Sequence, residues 1–264
     1  MLSLLESPLP SGPATALALA VVLGAGFVRG FAGFGFSAFS VAGLSLLVAP
    51  GAVIPAIFLL EIVASLHMLR EGLRHADWPW LRALVLGQLL GVPIGVALLA
   101  WLPELPLRLL IGGLLLAAVL ALRLGLQPAL EPTPRMRLAV GTASGVVNGV
   151  AAIGGIVVAV LLSTTRIAPQ ALRATMVLML LCSDVLALGW AALLPRAEGA
   201  APLVGLATWH WALWLAPAML LGIWLGGRAF HRVSPQQFRR RLIDLLLLIA
   251  LLSIGRTLWS LFFA

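Results

Sequence analysis

Two stretches decide how this chain folds: GFVRGFAGFGF at residues 26–36 and GVVNGVAAIGG at residues 145–155. Each sits inside an apolar run, roughly 14–49 and 138–165, that is too long for one straight helix. The first of these runs would measure about 54 Å as a helix, against a bilayer hydrocarbon core of about 30 Å. Glycine admits backbone geometry closed to other residues and concentrates where helices break. Both runs are therefore expected to break at their glycines.

The two stretches are also copies of one another. At a constant offset of 119, Gly26, Gly30 and Gly35 fall on Gly145, Gly149 and Gly154, Ala32 falls on Ala151, and Pro50 falls on Pro169. With a slightly longer offset Gly91 and Gly95 meet Gly222 and Gly226, and the Arg108-Leu109-Leu110-Ile111 run meets Arg240-Arg241-Leu242-Ile243. The chain reads as a duplicated unit of about 125 residues, divided into 1–130 and 131–264 at the polar connector QPALEPTP.

Composition fixes the solvent. Of 264 residues 62% are hydrophobic and 10% charged, against roughly 25% charged in a soluble domain. A soluble globular fold is excluded. The net charge of +8 comes from arginines spread between apolar runs, with no lysine, which reads as membrane topology and not as a nucleic-acid surface. The single cysteine, Cys182, can make no intramolecular disulfide and fits no metal-ligand spacing. The N-terminus MLSLLESPLP lacks a basic region and carries Glu6, so the first apolar stretch is expected to be retained.

Eight apolar runs are visible, roughly 14–49, 53–69, 80–101, 107–125, 138–165, 171–194, 203–227 and 242–263. If each crossed once, the arginine-rich loops 70–82, 123–137 and 228–241 would fall on both sides. Letting runs one and five enter and return, as two short spans or as re-entrant hairpins turning near 33–35 and 153–155, gathers those arginines on the cytoplasmic side. Only Arg108, Arg196 and Arg256 then face outside, with Arg29 internal and both termini outside. Trp101, Trp190, Trp209, Trp211 and Trp259 fall near outer ends, and Trp78 and Trp80 near an inner one, as in an aromatic belt. The expectation is an all-α polytopic membrane protein of two inverted repeats, each a glycine-rich broken or re-entrant segment plus three spanning helices, as in many secondary transporters.

Gly33, Gly35, Gly154 and Gly155 at the two tips can present backbone N–H groups to an anion, or can simply permit tight helix packing. Arg29 is a candidate counter-charge for that anion, its repeat mate being Asn148; alternatively Arg29 snorkels to the interface. Glu61 and Asp184 lie near the midplane. Ser65 is the mate of Asp184 and Leu180 that of Glu61, so the carboxylates sit one helical turn apart on equivalent faces. Desolvated carboxyls can load and release protons, or can be held by Arg29 or a hydrogen bond. Ser37, Gln88, Ser163, Thr164 and Thr165 supply neutral donors, although such residues more often bond their own helix. His67 and His75 read as interfacial, and Asp244 as a helical partner of Arg240. No HExxH, Ser/His/Asp or multi-histidine arrangement is visible, so no catalytic residue, metal or cofactor is assigned.

The segments GFAGFGFSAFSVAGLSLLVAP and GVAAIGGIVVAVLLSTTRIAP, with a proline fourteen or fifteen residues beyond the glycines, resemble the TauE/SafE family of sulfite-exporter-like membrane proteins. So do the chain length and the GxxxG segments starting at Gly91 and Gly222, and the likeness covers almost the whole chain. Where that family typically carries a Gly-x-Gly-Gly-Gly cluster in both halves, this chain has Gly33-Phe34-Gly35-Phe36 and Gly154-Gly155. The resemblance implies transport of sulfur-containing anions such as sulfite or organosulfonates. The resulting reading is a secondary transporter in the cell inner or plasma membrane that exports or exchanges a small anion by alternating access, with proton coupling through Glu61 or Asp184 as an option. Its partners are that anion and the lipid bilayer, not nucleic acid, and a homodimer is left open. The alternatives are an anion channel and a membrane-embedded enzyme.

Overall fold

The computed structural model describes residues 12–124, 133–162, 167–194 and 202–229, together with helical positions Asp244, Leu247, Leu251 and Gly255. The expected last span beyond those four positions, Ser163, Thr164, Thr165, Arg166, Arg196, Arg232, Arg239, Arg240, Arg241, Arg256, Trp259 and both termini lie outside the described residues. Among the described residues the elements are all helical: α1 (Gly12–Ala32), α2 (Phe36–Leu44), α3 (Pro50–His67), α4 (Leu69–His75), α5 (Trp78–Trp101), α6 (Glu104–Arg123), α7 (Pro134–Ala151), α8 (Gly154–Leu162), α9 (Pro169–Leu193) and α10 (Leu206–Ala229). Six of them, α1, α3, α5, α6, α9 and α10, are long and apolar enough to cross a membrane.

Local chemistry sets the starts. Pro50, Pro134 and Pro169 open α3, α7 and α9, where a missing N–H costs nothing. Asp77 caps α5 by accepting from Trp80 N at 3.1 Å, and Thr133 caps α7 by accepting from Met136 N at 3.2 Å.

Both long glycine-rich runs break. Between α1 and α2, Gly33 and Gly35 take φ of 81° and 96°. Gly35 then packs on Val28 and Gly43 on Val21, so α2 runs back along α1. With nine residues α2 extends about 13 Å, half the hydrocarbon core. The hairpin is thus unequal, a spanning-length helix followed by a half-length return. The second break corrects the expected turn at 153–155: the left-handed residue is Ala152, φ 59°, the repeat mate of Gly33, and Gly154 already opens α8. An L-residue in this region costs about 1–2 kcal/mol, so the second turn is strained where the first is not.

Glycines then join the halves. On α1, Gly26 and Gly30 abut the backbone of Met219 and Ile223 on α10, while Gly222 and Gly226 abut Leu23 and Phe27. On α7, Gly145 and Gly149 abut Gln88 and Val92 on α5, while Gly91 and Gly95 abut Thr142 and Val146. These two sets are the same contacts at offsets of 119 and 131. In both pairs residue numbers rise together, so the partners run parallel. A Cβ at Gly30, Gly91 or Gly226 would enter a facing carbonyl oxygen. Backbones this close gain dispersion along their whole length, which is how apolar helices associate when lipid is as apolar as leucine.

One end of the bundle gathers the end of α1, α4, the starts of α5, α7 and α9 and the end of α10. Arg173 on α9 donates to Gly30 O at 3.2 Å, Asp77 N donates to Thr175 Oγ1 at 2.8 Å, and the Arg137 guanidinium lies 4.6 Å over the Trp80 ring. Hence α1 finishes on the face where α7 begins. Arg70, Arg74, Arg137, Arg173 and Arg228 share this arginine face. The opposite face holds Arg108, which donates to Ser45 O at 2.9 Å and pairs with Glu104 at 2.8 Å.

The aromatic belt is only partly as expected. Trp78, Trp101, Trp190 and Trp209 are exposed as an aromatic belt requires, but Trp80 and Trp211 are buried. These two are repeat mates; Trp211 meets Trp214 edge to face at 6.4 Å. Asp244 lies 3.4 Å from Arg123 at the end of α6; Arg240, its expected helical partner, lies outside the described residues.

Candidate functional site

The site is built from the two turns and the two helices facing them. Arg29 stands one turn before Gly33 on α1 and is fully buried. Its Nη1 donates to Gly33 O at 2.8 Å, its Nη2 donates to Ser65 Oγ at 2.6 Å, and the same nitrogen is 3.3 Å from Glu61 Oε2. Glu61 Oε1 accepts from Ser37 N at 3.1 Å. One carboxylate therefore neutralises Arg29 and also satisfies an N–H in the first turn of α2, which no intrahelical acceptor can reach. The fourfold contact locks α1, the turn, α2 and α3 together. Arg29 does not snorkel.

The second turn repeats the plan with different chemistry. Asn148 Nδ2 donates to Asp184 Oδ1 at 2.8 Å and to Ser183 Oγ at 2.9 Å, and its Oδ1 accepts from Gly154 N at 3.2 Å. Ser144 Oγ donates to Gly154 O at 3.0 Å. A Cβ on Gly154 would lie 2.6 Å from Asn148 Cβ, so only glycine lets α8 begin this close to α7. Arg29 bonds Ser65, and its mate Asn148 bonds Asp184, the mate of Ser65. The partners are equivalent while the charge is redistributed: the first half holds a cation and an anion, the second an amide and an anion.

Of the residues singled out from the sequence, Arg29, Gly33, Ser37 and Glu61 meet in one cluster, and Asn148, Gly154 and Asp184 in another. Gly35 packs against Val28 and Gly155 against Leu180, the mate of Glu61. Glu61 is the twelfth of eighteen residues in α3 and Asp184 the sixteenth of twenty-five in α9, because these helices start at Pro50 and Pro169, earlier than the apolar runs suggested. Ser144 and Arg173 carried no sequence signal as site residues. Ser65 and Ser183 did, by register and adjacency to the carboxylates.

Several buried polar atoms have no hydrogen-bond partner among the described residues: Arg29 Nε, Asp184 Oδ2 and both amide atoms of Gln88. Gln88 is fully buried on α5, its backbone against Gly145, one turn from Asn148. Groups so placed are costly unless something polar meets them. Among the described residues no three His, Cys, Asp or Glu side chains cluster as metal ligands would; His67 and His75 instead line a cleft on the arginine face.

Six spanning-length helices, half-length returns after two broken helices and charge buried between them define a multi-pass membrane protein with an internal polar site. The family described as Sulfite exporter TauE/SafE matches residues 18–253, and the chain belongs to that family. This places it among membrane transporters of sulfite-type anions. No curated protein and no solved structure gives a significant match to the chain.

Proposed function

We propose that the protein is a secondary transporter that moves sulfite or an organosulfonate by alternating access between the two turns, in the export direction, with proton coupling through Asp184. The observation that carries this reading is the pair of equivalent buried networks, Arg29–Ser65 and Asn148–Asp184, one at each turn. Arg29 supplies the cation and Asn148 the neutral donors for an oxyanion, with Ser37 and the backbone around Gly33, Gly35, Gly154 and Gly155 nearby. The N–H groups of Ser37 and Gly154 are held by Glu61 and Asn148 in this state, so substrate binds by exchanging with these internal acceptors. Burial of both networks favours a carrier over a channel, because the bundle must open before solute reaches them.

The reading also takes the two halves as inverted repeats. It is supported by α1 ending on the face where α7 begins, and by matching contacts at offsets of 119 and 131. By the positive-inside rule the arginine face is cytoplasmic, and both termini are outside. Arg29 offsets only one of the two carboxylates. A second negative charge without a cation at this depth disfavours an arriving anion, which is why a proton on Asp184 accompanies it.

The test is flux into proteoliposomes over a panel of sulfite, sulfonates and carboxylates, with and without a pH gradient. Saturable sulfite or sulfonate flux that Arg29→Lys weakens supports the reading, since lysine keeps the charge and loses the planar fork. Flux of carboxylates alone, or indifference to Arg29→Lys in folded protein, overturns it.

A further inference from the structure

We propose that the cleft on the arginine face is an oxyanion docking site whose filling releases Arg173 from Glu71; the proposal deepens the transport reading above and rests on it. The cleft encloses about 650 Å³ between α4 and the ends of α1, α9 and α10. Among the described residues four arginines line it, Arg70, Arg74, Arg173 and Arg228, against one carboxylate, Glu71. Arg70 and Arg74 are one helical turn apart on α4, exposed, and without an ion pair among the described residues. The Arg228 guanidinium sits 3.4 Å over the Trp224 ring, which fixes its plane and leaves its edge donors directed away from the ring. Like charges in a concave, low-dielectric setting raise the local concentration of anions.

Arg173 is tied differently. Its Nη1 is 3.5 Å from Glu71 Oε1, its Nη2 donates to Gly30 O at 3.2 Å, and its stem fills the space beside Gly33 where a Cβ would stand. It thus joins α9 and α4 to the end of α1, one residue from Arg29. A tetrahedral or pyramidal oxyanion offers a guanidinium two parallel acceptors, a better match than the 3.5 Å approach to Glu71. An anion bridging Arg70, Arg74 and Arg173 displaces Glu71, loosens α4 from α9 and frees the carbonyl of Gly30. Docking at the face is in this way transmitted to the turn that carries the first buried network.

The experiment is a fluorescence titration of the full-length protein in phosphatidylcholine nanodiscs with sulfite, and separately with sulfate, at constant ionic strength. Trp224 reports the cleft, so a saturable signal change is expected that Trp224→Phe abolishes. Arg70→Gln and Arg74→Gln should each weaken binding about tenfold, the loss of one charge-assisted contact. Glu71→Gln, which releases Arg173, should tighten binding several-fold, whereas a merely structural latch gives no gain. Absence of a saturable change with both anions, equal affinity in the arginine variants, or unchanged or weaker binding in Glu71→Gln overturns the proposal. Discs containing phosphatidylglycerol separate the two sources of oxyanion: unchanged or modestly reduced sulfite affinity supports solute docking, and complete exclusion of sulfite assigns the cleft to lipid headgroups and overturns it. Sulfite flux measured on the same proteins keeps the two readings apart. Flux without binding in the cleft sinks the docking site alone, and binding without wild-type flux sinks the transport reading.

Discussion

Arg29 and Glu61 form an ion pair in the interior of the bundle, Nη2 to Oε2 3.3 Å, with side chains 0% and 1% exposed. Thirty-two residues separate them in sequence, and the pair closes the first turn: Arg29 holds the carbonyl of Gly33 and Glu61 the N–H of Ser37. Such a pair is costly to assemble and costlier to halve, since removing one partner leaves the other charge buried and uncompensated.

Glu61→Gln keeps an acceptor for Ser37 but strands the Arg29 charge. We expect a loss of about 3–5 kcal/mol in stability, seen as a lower melting temperature in detergent. The double variant with Arg29→Gln should recover much of it. A double-mutant cycle with no coupling between the two positions would show that the pair does not act as a unit.

Ala152→Gly removes the left-handed strain of the second turn. The relief is partly offset by the greater freedom of glycine in the unfolded chain, so we expect a gain of up to about 1 kcal/mol. Gly33→Ala should do the reverse and more, because its Cβ would also strike the Arg173 stem. Thermal melting of both variants checks this asymmetry; a destabilised Ala152→Gly would contradict it.

Asp184→Asn preserves the hydrogen bond with Asn148 and removes the titrating group. Flux driven by a substrate gradient should persist, and its response to an imposed pH gradient should disappear. Full gradient dependence in the variant would leave Asp184 as a structural acceptor of Asn148.

Cysteines placed singly at Arg74 and Glu104, in a Cys182→Ser background, should label from opposite sides, Arg74 from the cytoplasm. Labelling of both from one side in sealed cells would refute the topology.

Much of the architecture is written in the chain itself. Spacing of Gly26, Gly30 and Gly35 against Gly145, Gly149 and Gly154 points to a duplication, and run length alone demands a break in each long run. These features are legible because they are local or periodic, and because a bilayer of fixed thickness limits what an apolar run can do. Tertiary structure alone decided which surfaces meet. The spanning helices are apolar nearly all round, so no amphipathic face announces that α1 packs on α10 and α5 on α7. It moved the second turn to Ala152, buried Trp80 and Trp211, and brought Arg173 from α9 onto the end of α1. It also chose among the fates open to Arg29: an arginine in an apolar run must find a partner, but whether interface, substrate or carboxylate depends on a helix 32 residues away folding back to within 3.3 Å. Local sequence states the cost of a buried charge; only the packing of distant helices supplies what offsets it.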